Sequence, residues 1–279
     1  MITPPLSFLN PYGWTVVVNQ VSISFLLYSY LVPAIIAIAF GIFIVIKTKQ
    51  VSGFYLFLIC ISFALYSLFD LISWGPNADI VMFFWSILDI FSTAFFVLSY
   101  WFLYSFIKEQ DLPMWQKILS SLAFIPTLAI IAMSINMNTY YEASFFALEN
   151  QSVTNYNSIL YVFFILLIAV FTIFQYYRAV DRPTKNKIAL AGAGTAIFLC
   201  VYCAILVITN LVFLFNITGL AESQYIYTFD SYSIFGMPIF LGFLGYLIAK
   251  YQAFDVRLIK SIVYMVMLMV LLFVGLFFA

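Results

Sequence analysis

The stretch Ile80–Ile107, IVMFFWSILDIFSTAFFVLSYWFLYSFI, decides the fold of this chain. It has a single charged side chain, Asp89, and it exceeds the roughly 20 apolar residues that a helix needs to cross a bilayer. The whole chain has the same character, because its 279 residues are 66% hydrophobic and only 8% charged. Soluble domains carry about 25% charged residues. We therefore predict an all-α, polytopic bundle of membrane helices.

Hydropathy predicts eight membrane segments, seven transmembrane helices plus an eighth at the C-terminal end. In chain order they lie at about 21–46, 53–73, 80–107, 116–134, 157–177, 188–215, 231–250 and 260–279. The predicted organisation is an outer N-terminal tail at 1–20, a seven-helix bundle at 21–250, and a cytoplasmic turn with the eighth helix at 251–279. Pro126 in segment 4 and Pro238 in segment 7 each remove a backbone donor, so both favour a kink.

Basic residues orient the predicted bundle. They lie only in alternate connections: after segment 1, between segments 3 and 4, between 5 and 6, and between 7 and 8. The full set of 11 is Lys47, Lys49, Lys108, Lys117, Arg178, Arg182, Lys185, Lys187, Lys250, Arg257 and Lys260. Connections rich in Lys and Arg stay in the cytoplasm, so we predict an N-terminus outside. No basic residue precedes Lys47, and a cleavable signal peptide is therefore not expected.

Two acidic residues fall inside apolar segments, where an ionisable side chain marks a candidate functional site. Asp89 lies about nine residues, or roughly 14 Å, inside segment 3. Asp70 lies near the outer end of segment 2. We predict a ligand-binding pocket, open to the outside, that is formed by Asp70, Trp74, Trp85, Asp89, Ser92, Asp230 and Tyr232. The alternative is a hydrogen-bond network between helices that serves only the structure.

Composition also excludes several kinds of chemistry. The chain has no histidine, and its net charge is zero, so we expect neither a metal, a cofactor nor a nucleic-acid partner. Cys200 and Cys203 have CxxC spacing, but no second ligand pair completes a zinc site, and two packed apolar side chains are the expected reading. Phosphate loops and nucleophile elbows are missing from the sequence. The chain is not expected to be an enzyme.

The second half of the chain resembles a known family, the seven-transmembrane N-terminal sensor region of bacterial and archaeal histidine kinases. One carrying stretch is Arg178…Arg182-Pro-Thr-Lys185-Asn-Lys187, with Gly192 and Gly194 beyond it. The other is Gly236-Met-Pro238…Gly245-Tyr-Leu-Ile-Ala-Lys250-Tyr-Gln-Ala-Phe-Asp255-Val-Arg257 at the end of segment 7. The aromatic surroundings of Trp85 are also similar to the third helix of that family.

The resemblance implies a receptor in a prokaryotic inner membrane that passes a signal through segments 7 and 8. Pro238, Lys250, Asp255 and Arg257 are the relay residues that it suggests. The expected partners are the lipid bilayer, a small or lipid-like ligand, a second copy of the chain and a cytoplasmic kinase. Since the chain ends in apolar sequence at Ala279, we expect the output domain to lie beyond it. A small transporter or channel, or a structural membrane protein, is the alternative.

Overall fold

The computed structural model describes residues 23–48, 50–73, 78–135, 137–141, 146–214, 236–237 and 240–244. Helices and one β-hairpin make up this part of the chain. The helices are α1 (Ile23–Lys47), α2 (Val51–Ser73), α3 (Ala78–Lys108), α4 (Met114–Ser121), α5 (Phe124–Ala132), α6 (Gln151–Arg178) and α7 (Arg182–Leu214). The hairpin strands are β1 (Met137–Tyr141) and β2 (Phe146–Glu149). Residues 236–237 and 240–244 are also helical.

Six helical segments of the described residues are long and apolar enough to cross a membrane, with α4 and α5 together forming the fourth. They coincide with the first six predicted segments, so the helical bundle is confirmed in this coarser form. Segment 7 is described only at 236–237 and 240–244, and segment 8 lies outside the described residues. The count of seven helices plus one therefore stays a prediction.

Two helices begin earlier than hydropathy predicts, because polar residues cap their first turns. The Asn150 side chain accepts a hydrogen bond from the Ser152 N–H at 3.0 Å, and α6 starts at once after it. At α7, the Thr184 N–H donates to Asp181 Oδ2 at 2.8 Å. A capped polar turn extends a helix beyond its apolar run, so the predicted starts of segments 5 and 6 were six residues late.

Segment 4 is interrupted between α4 and α5, as Pro126 predicts. Proline has no N–H to donate to the carbonyl four residues earlier, which here belongs to Leu122. The chain turns at Leu122 and Ala123, and the Ile125 N–H bonds the Leu122 carbonyl instead, at 3.1 Å. The helix is thus interrupted just before Pro126, whereas Pro238 lies outside the described residues.

The connection between α5 and α6, which the sequence predicts as a polar loop, contains a β-hairpin. Strands β1 and β2 pair antiparallel, with Tyr140 opposite Ala147 and Tyr141 opposite Phe146. Aromatic residues favour strands, and this preference in Tyr140, Tyr141 and Phe146 explains the departure from the all-helical prediction. β1 packs against α3 at the outer end of the bundle.

Helix α3 lies at the centre of the described bundle. It packs against α2, α5, α6 and α7, whereas α1 packs mainly on α2. Its Phe95, Phe96 and Phe102 are fully buried. By contrast, α4, α5 and one face of α6 expose large apolar side chains, which suits contact with lipid tails. Examples are Trp115, Leu119, Leu128, Phe163, Leu166 and Val170.

The basic connections meet at one end of the molecule, which we call the inner end. Lys187 Nζ at the start of α7 donates to Glu109 Oε1 after α3, at 2.7 Å. Asp111 joins three further groups: its Oδ1 accepts from the Tyr55 hydroxyl at 2.6 Å, and its Oδ2 accepts from Lys117 Nζ at 2.6 Å. The backbone N–H of Leu112 also donates to Asp111 Oδ1, at 2.7 Å. Three of the predicted cytoplasmic connections are thus adjacent.

Replacing Asp111 with asparagine is expected to lower the free energy of unfolding by about 0.5–1 kcal/mol near neutral pH, since the pair with Lys117 is solvent-screened. Burial raises the pKa of Asp111, but hydrogen bonds from Lys117, Tyr55 and Leu112 outweigh it and leave that pKa below its ordinary value. A lowered folded-state pKa stabilises the protein above the unfolded-state pKa of about 3.9. The stability difference between wild type and Asp111→Asn should therefore shrink below about pH 4 and vanish below the folded-state pKa.

Unfolding titrations in mixed micelles at several pH values measure this difference. Tyr177→Phe is the control for surface substitution, because Tyr177 is exposed and lies at the same end of the bundle. A difference that stays constant as the pH falls would mean that the charge of Asp111 contributes nothing.

Candidate functional site

The central feature of the outer half is a buried hydrogen bond between α3 and α6. Asn157 Nδ2 donates to Asp89 Oδ1 at 2.9 Å. Asp89 is 8% exposed and Asn157 only 3% exposed. At 1.5 Å per residue, Asp89 lies about 16 Å from the outer end of α3 and about 28 Å from Lys108. The carboxyl group therefore lies inside the bundle, far from every basic side chain of the inner end.

Asn157 is the site residue that the sequence prediction missed. Segment 5 was predicted to begin at Asn157 itself, whereas the helix starts at Gln151 and places this residue almost two turns inside. Its Oδ1 atom is buried and accepts no hydrogen bond within the described part of the chain. Asparagine is costly in an apolar helix unless it is paired, and the Asn150-to-Asn157 polar run was the available signal.

A second polar contact lies one turn further in. The hydroxyl groups of Ser92 on α3 and Tyr202 on α7 are 2.8 Å apart. The Tyr202 ring packs edge-on against Phe95 at 4.9 Å and Tyr66 at 5.4 Å between ring centroids. Below Ser92, Phe96 stacks on Tyr161 of α6 at 4.3 Å. Aromatic rings from four helices thus pack next to this polar contact, on its inner side.

A third polar contact joins α3 to α5. The hydroxyl groups of Thr93 and Thr127 are 3.2 Å apart, and both residues are buried. The Tyr156 hydroxyl of α6 donates to the Ala123 carbonyl at 3.4 Å, next to the break before α5. We call Asp89, Ser92, Thr93, Thr127, Asn157 and Tyr202 the outer polar cluster. Its members come from α3, α5, α6 and α7, so the cluster holds the packing of all four.

The structure describes four of the predicted ligand-site residues. Asp89 and Ser92 belong to the outer polar cluster. Asp70 is buried on α2. The Ser73 hydroxyl donates to the backbone carbonyl of Asp70 at 2.6 Å and lies 3.2 Å from its Oδ1. Trp85 is half-buried on α3, one turn outward from Asp89. The remaining predicted ligand and relay residues lie outside the described residues: Trp74, Asp230, Tyr232, Pro238, Lys250, Asp255 and Arg257.

The two cysteines with CxxC spacing lie within one turn of α7 and are not bonded to each other. Cys200 is exposed on α7, Cys203 is buried, and the two thiols are free. The Cys203 thiol donates to the Cys200 carbonyl at 3.8 Å, a bond within one helical turn. Cys203 thus packs within the bundle, whereas Cys200 lies on its surface.

The chemistry of the outer polar cluster follows from its charge. The sequence has no lysine, arginine or histidine between residues 50 and 107, 118 and 177, or 188 and 249. Asp89 therefore lies in an apolar run that has no cation of its own, and a charged carboxylate at this depth costs several kcal/mol unless it is paired. The cluster suits a proton, a small cation or the hydrogen-bond donors of a small ligand. Within the described residues, no group of three Cys, Asp or Glu side chains forms a metal site.

Comparisons with known protein families, with curated proteins and with solved structures give no match to this chain. The fold and the site therefore define its class by themselves. This class is a multi-pass helical membrane protein with a buried polar cluster at one end and a charged, interlinked set of connections at the other.

Proposed function

We propose that the chain is a membrane-embedded sensor module of a prokaryotic inner membrane, with its N-terminus outside. In this proposal the outer polar cluster receives the input, and the helices pass it to a cytoplasmic output such as a histidine kinase. The observation that carries the proposal is the buried bond between Asn157 and Asp89, which joins α3 to α6 through an acid inside the bundle. Such a site changes its preferred packing when a ligand or proton binds.

A continuous line of packed side chains supports the relay part of the proposal. Tyr202 bonds Ser92 in the outer polar cluster. One turn further in along α7, Phe198 stacks on Phe240 of segment 7 at 4.5 Å. Still further in, Gly194 lies directly against the Phe243 ring. A shift of α7 at Tyr202 would thus press on segment 7, the element whose inner end carries the suggested relay residues.

A transporter or channel is the second candidate, and one observation favours it. Ser99 and Ser105 are buried on the inner half of α3, and their hydroxyl oxygens make no hydrogen bond within the described residues. Ser99 lies on the same face of α3 as Asp89 and Ser92 and extends this polar face towards the inner end, whereas Ser105 lies on a different face. The same serines also allow close helix packing, and Thr195 opposite them on α7 bonds only its own helix, at the Ala191 carbonyl. We therefore place the sensor first.

The test measures the distance between the inner ends of α3 and α6 before and after a substitution in the outer half of α6. Spin labels at Gln110 and Val180, two exposed positions that follow α3 and α6, report this separation. Labels on unnatural amino acids leave the three native cysteines in place. In proteoliposomes, Asn157→Leu is expected to shift the distance distribution between the labels, because α3 and α6 lose their outer connection. Ser152→Leu, which also places a leucine at a polar but exposed position of α6, should leave it unchanged.

The competing functions give different results in the same vesicles. An unchanged distance distribution in Asn157→Leu would contradict the sensor proposal and favour a structural membrane protein. Proton or cation flux into dye-loaded vesicles that the wild type supports and Asn157→Leu abolishes would instead identify a transporter or channel.

A further inference from the structure

We propose that the junction of α6 and α7 binds an anionic phospholipid of the leaflet at the inner end, with the lipid phosphate among Arg178, Arg182 and Lys185 and the acyl chains along α6. Only three residues, 179–181, separate the two helices, so the cations that end α6 and begin α7 are neighbours. We call residues 178–185 the α6–α7 elbow. The inference goes beyond the proposed function and does not depend on it, because the elbow lies at the opposite end of the bundle from the outer polar cluster.

The cations of the elbow are not used by the fold. Among the described residues, the two ion pairs of the inner end take up Lys117 and Lys187, each at 2.7 Å or less from its acid. In the same part of the chain, no acid lies within ion-pair distance of Arg178, Arg182 or Lys185. Both arginines are exposed, and Lys185 is half-buried. Three cationic side chains are therefore available to an anion from outside the bundle.

The single acid of the elbow has a structural task. Asp181 Oδ2 accepts a hydrogen bond from the Thr184 N–H at 2.8 Å, which caps the first turn of α7. Three basic side chains and this one acid leave residues 178–185 with a net charge of +2. A phosphodiester headgroup is negatively charged, and arginine is suited to bind it through two parallel hydrogen bonds. The elbow thus has the charge and the donors that an anionic headgroup requires.

Aromatic rings place these cations at the depth of lipid headgroups. The Arg178 guanidinium carbon lies 4.0 Å from the centroid of the Phe174 ring, and Lys185 Nζ lies 5.6 Å from the centroid of the Tyr176 ring. Both rings are exposed on α6. Exposed aromatic side chains at a helix end lie at the boundary between hydrocarbon and water, where headgroups lie. A guanidinium stacked on a ring keeps its in-plane N–H groups free to bind a phosphate.

The surface of α6 next to the elbow fits an acyl chain. Phe163, Leu166, Val170, Ile173 and Tyr177 are all exposed, and their spacing of three or four residues places them on one face of the helix. From Leu166 to Tyr177 this face extends about 17 Å. One leaflet contributes about half of a hydrocarbon core that is roughly 30 Å thick. The apolar face is therefore as long as one acyl layer, and it ends at the cations.

Photocrosslinking of the full chain in vesicles tests the proposal. The vesicles contain dioleoylphosphatidylglycerol as a minor component in dioleoylphosphatidylcholine. A benzophenone amino acid replaces Tyr177, which is 78% exposed and precedes Arg178, or in a matched sample Ile46, which is 71% exposed and precedes Lys47 at the end of α1. Mass spectrometry of the adducts identifies the crosslinked lipid.

We expect phosphatidylglycerol to be enriched about tenfold over its bulk ratio at position 177 and at most about threefold at position 46, because each cation near the surface favours an anionic lipid about fivefold before salt screening. Combined replacement of Arg178, Arg182 and Lys185 with glutamine should remove the enrichment at position 177. Lys47→Gln should leave that enrichment unchanged.

The comparison of positions 177 and 46 needs no charge variant, so it holds even where the glutamines disturb the bundle. Equal enrichment at the two positions would reduce the elbow to the general attraction between basic connections and anionic lipid, and would overturn the proposal. Enrichment that survives the three glutamines would overturn it as well. A wild type without enrichment at position 177 would exclude the lipid and favour an acidic segment of a partner protein at the elbow. None of these results bears on the sensor proposal, whose test lies in the labels at Gln110 and Val180.

Discussion

Replacing Asn157 with leucine is expected to lower the free energy of unfolding by about 2 kcal/mol. Leucine has the same number and branching of heavy side-chain atoms as asparagine, so packing changes little, but Asp89 loses the donor at 2.9 Å that bonds its Oδ1. A buried group left without its partner costs about 1–3 kcal/mol, whereas hydrogen bonds between membrane helices average nearer to 0.6 kcal/mol because alternative partners exist. We expect the upper part of this range, because Asp89 and Asn157 are both buried. Reversible unfolding in mixed micelles measures the change.

A double-mutant cycle distinguishes the hydrogen bond from packing. Asp89→Leu combined with Asn157→Leu removes both polar groups and should recover most of the stability that Asn157→Leu loses. Ser152→Leu is the control and should change the free energy of unfolding little, since Ser152 is exposed on the same helix. Additive losses from the two leucines would show that Asp89 and Asn157 are not coupled.

Replacing Gly41 with leucine is expected to destabilise the bundle by about 3 kcal/mol, because it forces α1 away from α2. A Cβ atom at position 41 would lie 2.8 Å from Cys60 Cβ and 3.3 Å from the Phe57 ring. A Cβ is fixed to the backbone and is unable to rotate away, so the two helices must separate. Small residues allow membrane helices to approach closely, and close packing is the main attraction between them.

The control for Gly41→Leu is Ala39→Leu, which adds a large side chain to an exposed position on the same helix. In the same detergent, the melting temperature of Gly41→Leu should lie clearly below that of Ala39→Leu. Adding Cys60→Gly to Gly41→Ala should restore part of the lost stability, because it removes the Cβ that the new methyl group meets. Equal melting temperatures for Gly41→Leu and the wild type would rule out tight packing of α1 on α2.

The sequence predicted the helical elements better than the contacts between them. Apolar runs predicted six membrane segments, and Pro126 indicated an irregularity in the segment that is interrupted between α4 and α5. The hairpin at Met137–Glu149 was missed because the strand preference of a few aromatic residues was outweighed by the polar composition around them. The early start of α6 was missed because the side-chain cap at Asn150 lies outside the apolar run.

The candidate site was predicted only in part, for a similar reason. Asp89 and Ser92 stand out in the sequence because an acid and a hydroxyl in an apolar helix require partners. Their partners, Asn157 and Tyr202, are 68 and 110 residues away along the chain. No helical periodicity within α3 indicates which side chains of α6 and α7 face it, because that depends on the rotation and depth of each helix.

The sequence by itself determined that this chain is a helical membrane protein and that an acid lies within its third helix, because the requirement to satisfy backbone hydrogen bonds in lipid acts on each apolar segment separately. Only the tertiary structure decided that Asp89 meets Asn157, that Ser92 meets Tyr202, and that Asp111 joins Tyr55 to Lys117. These contacts depend on how separate helices pack, and in a bilayer this packing is selected by shape and polar pairing, since lipid tails are as apolar as the helices.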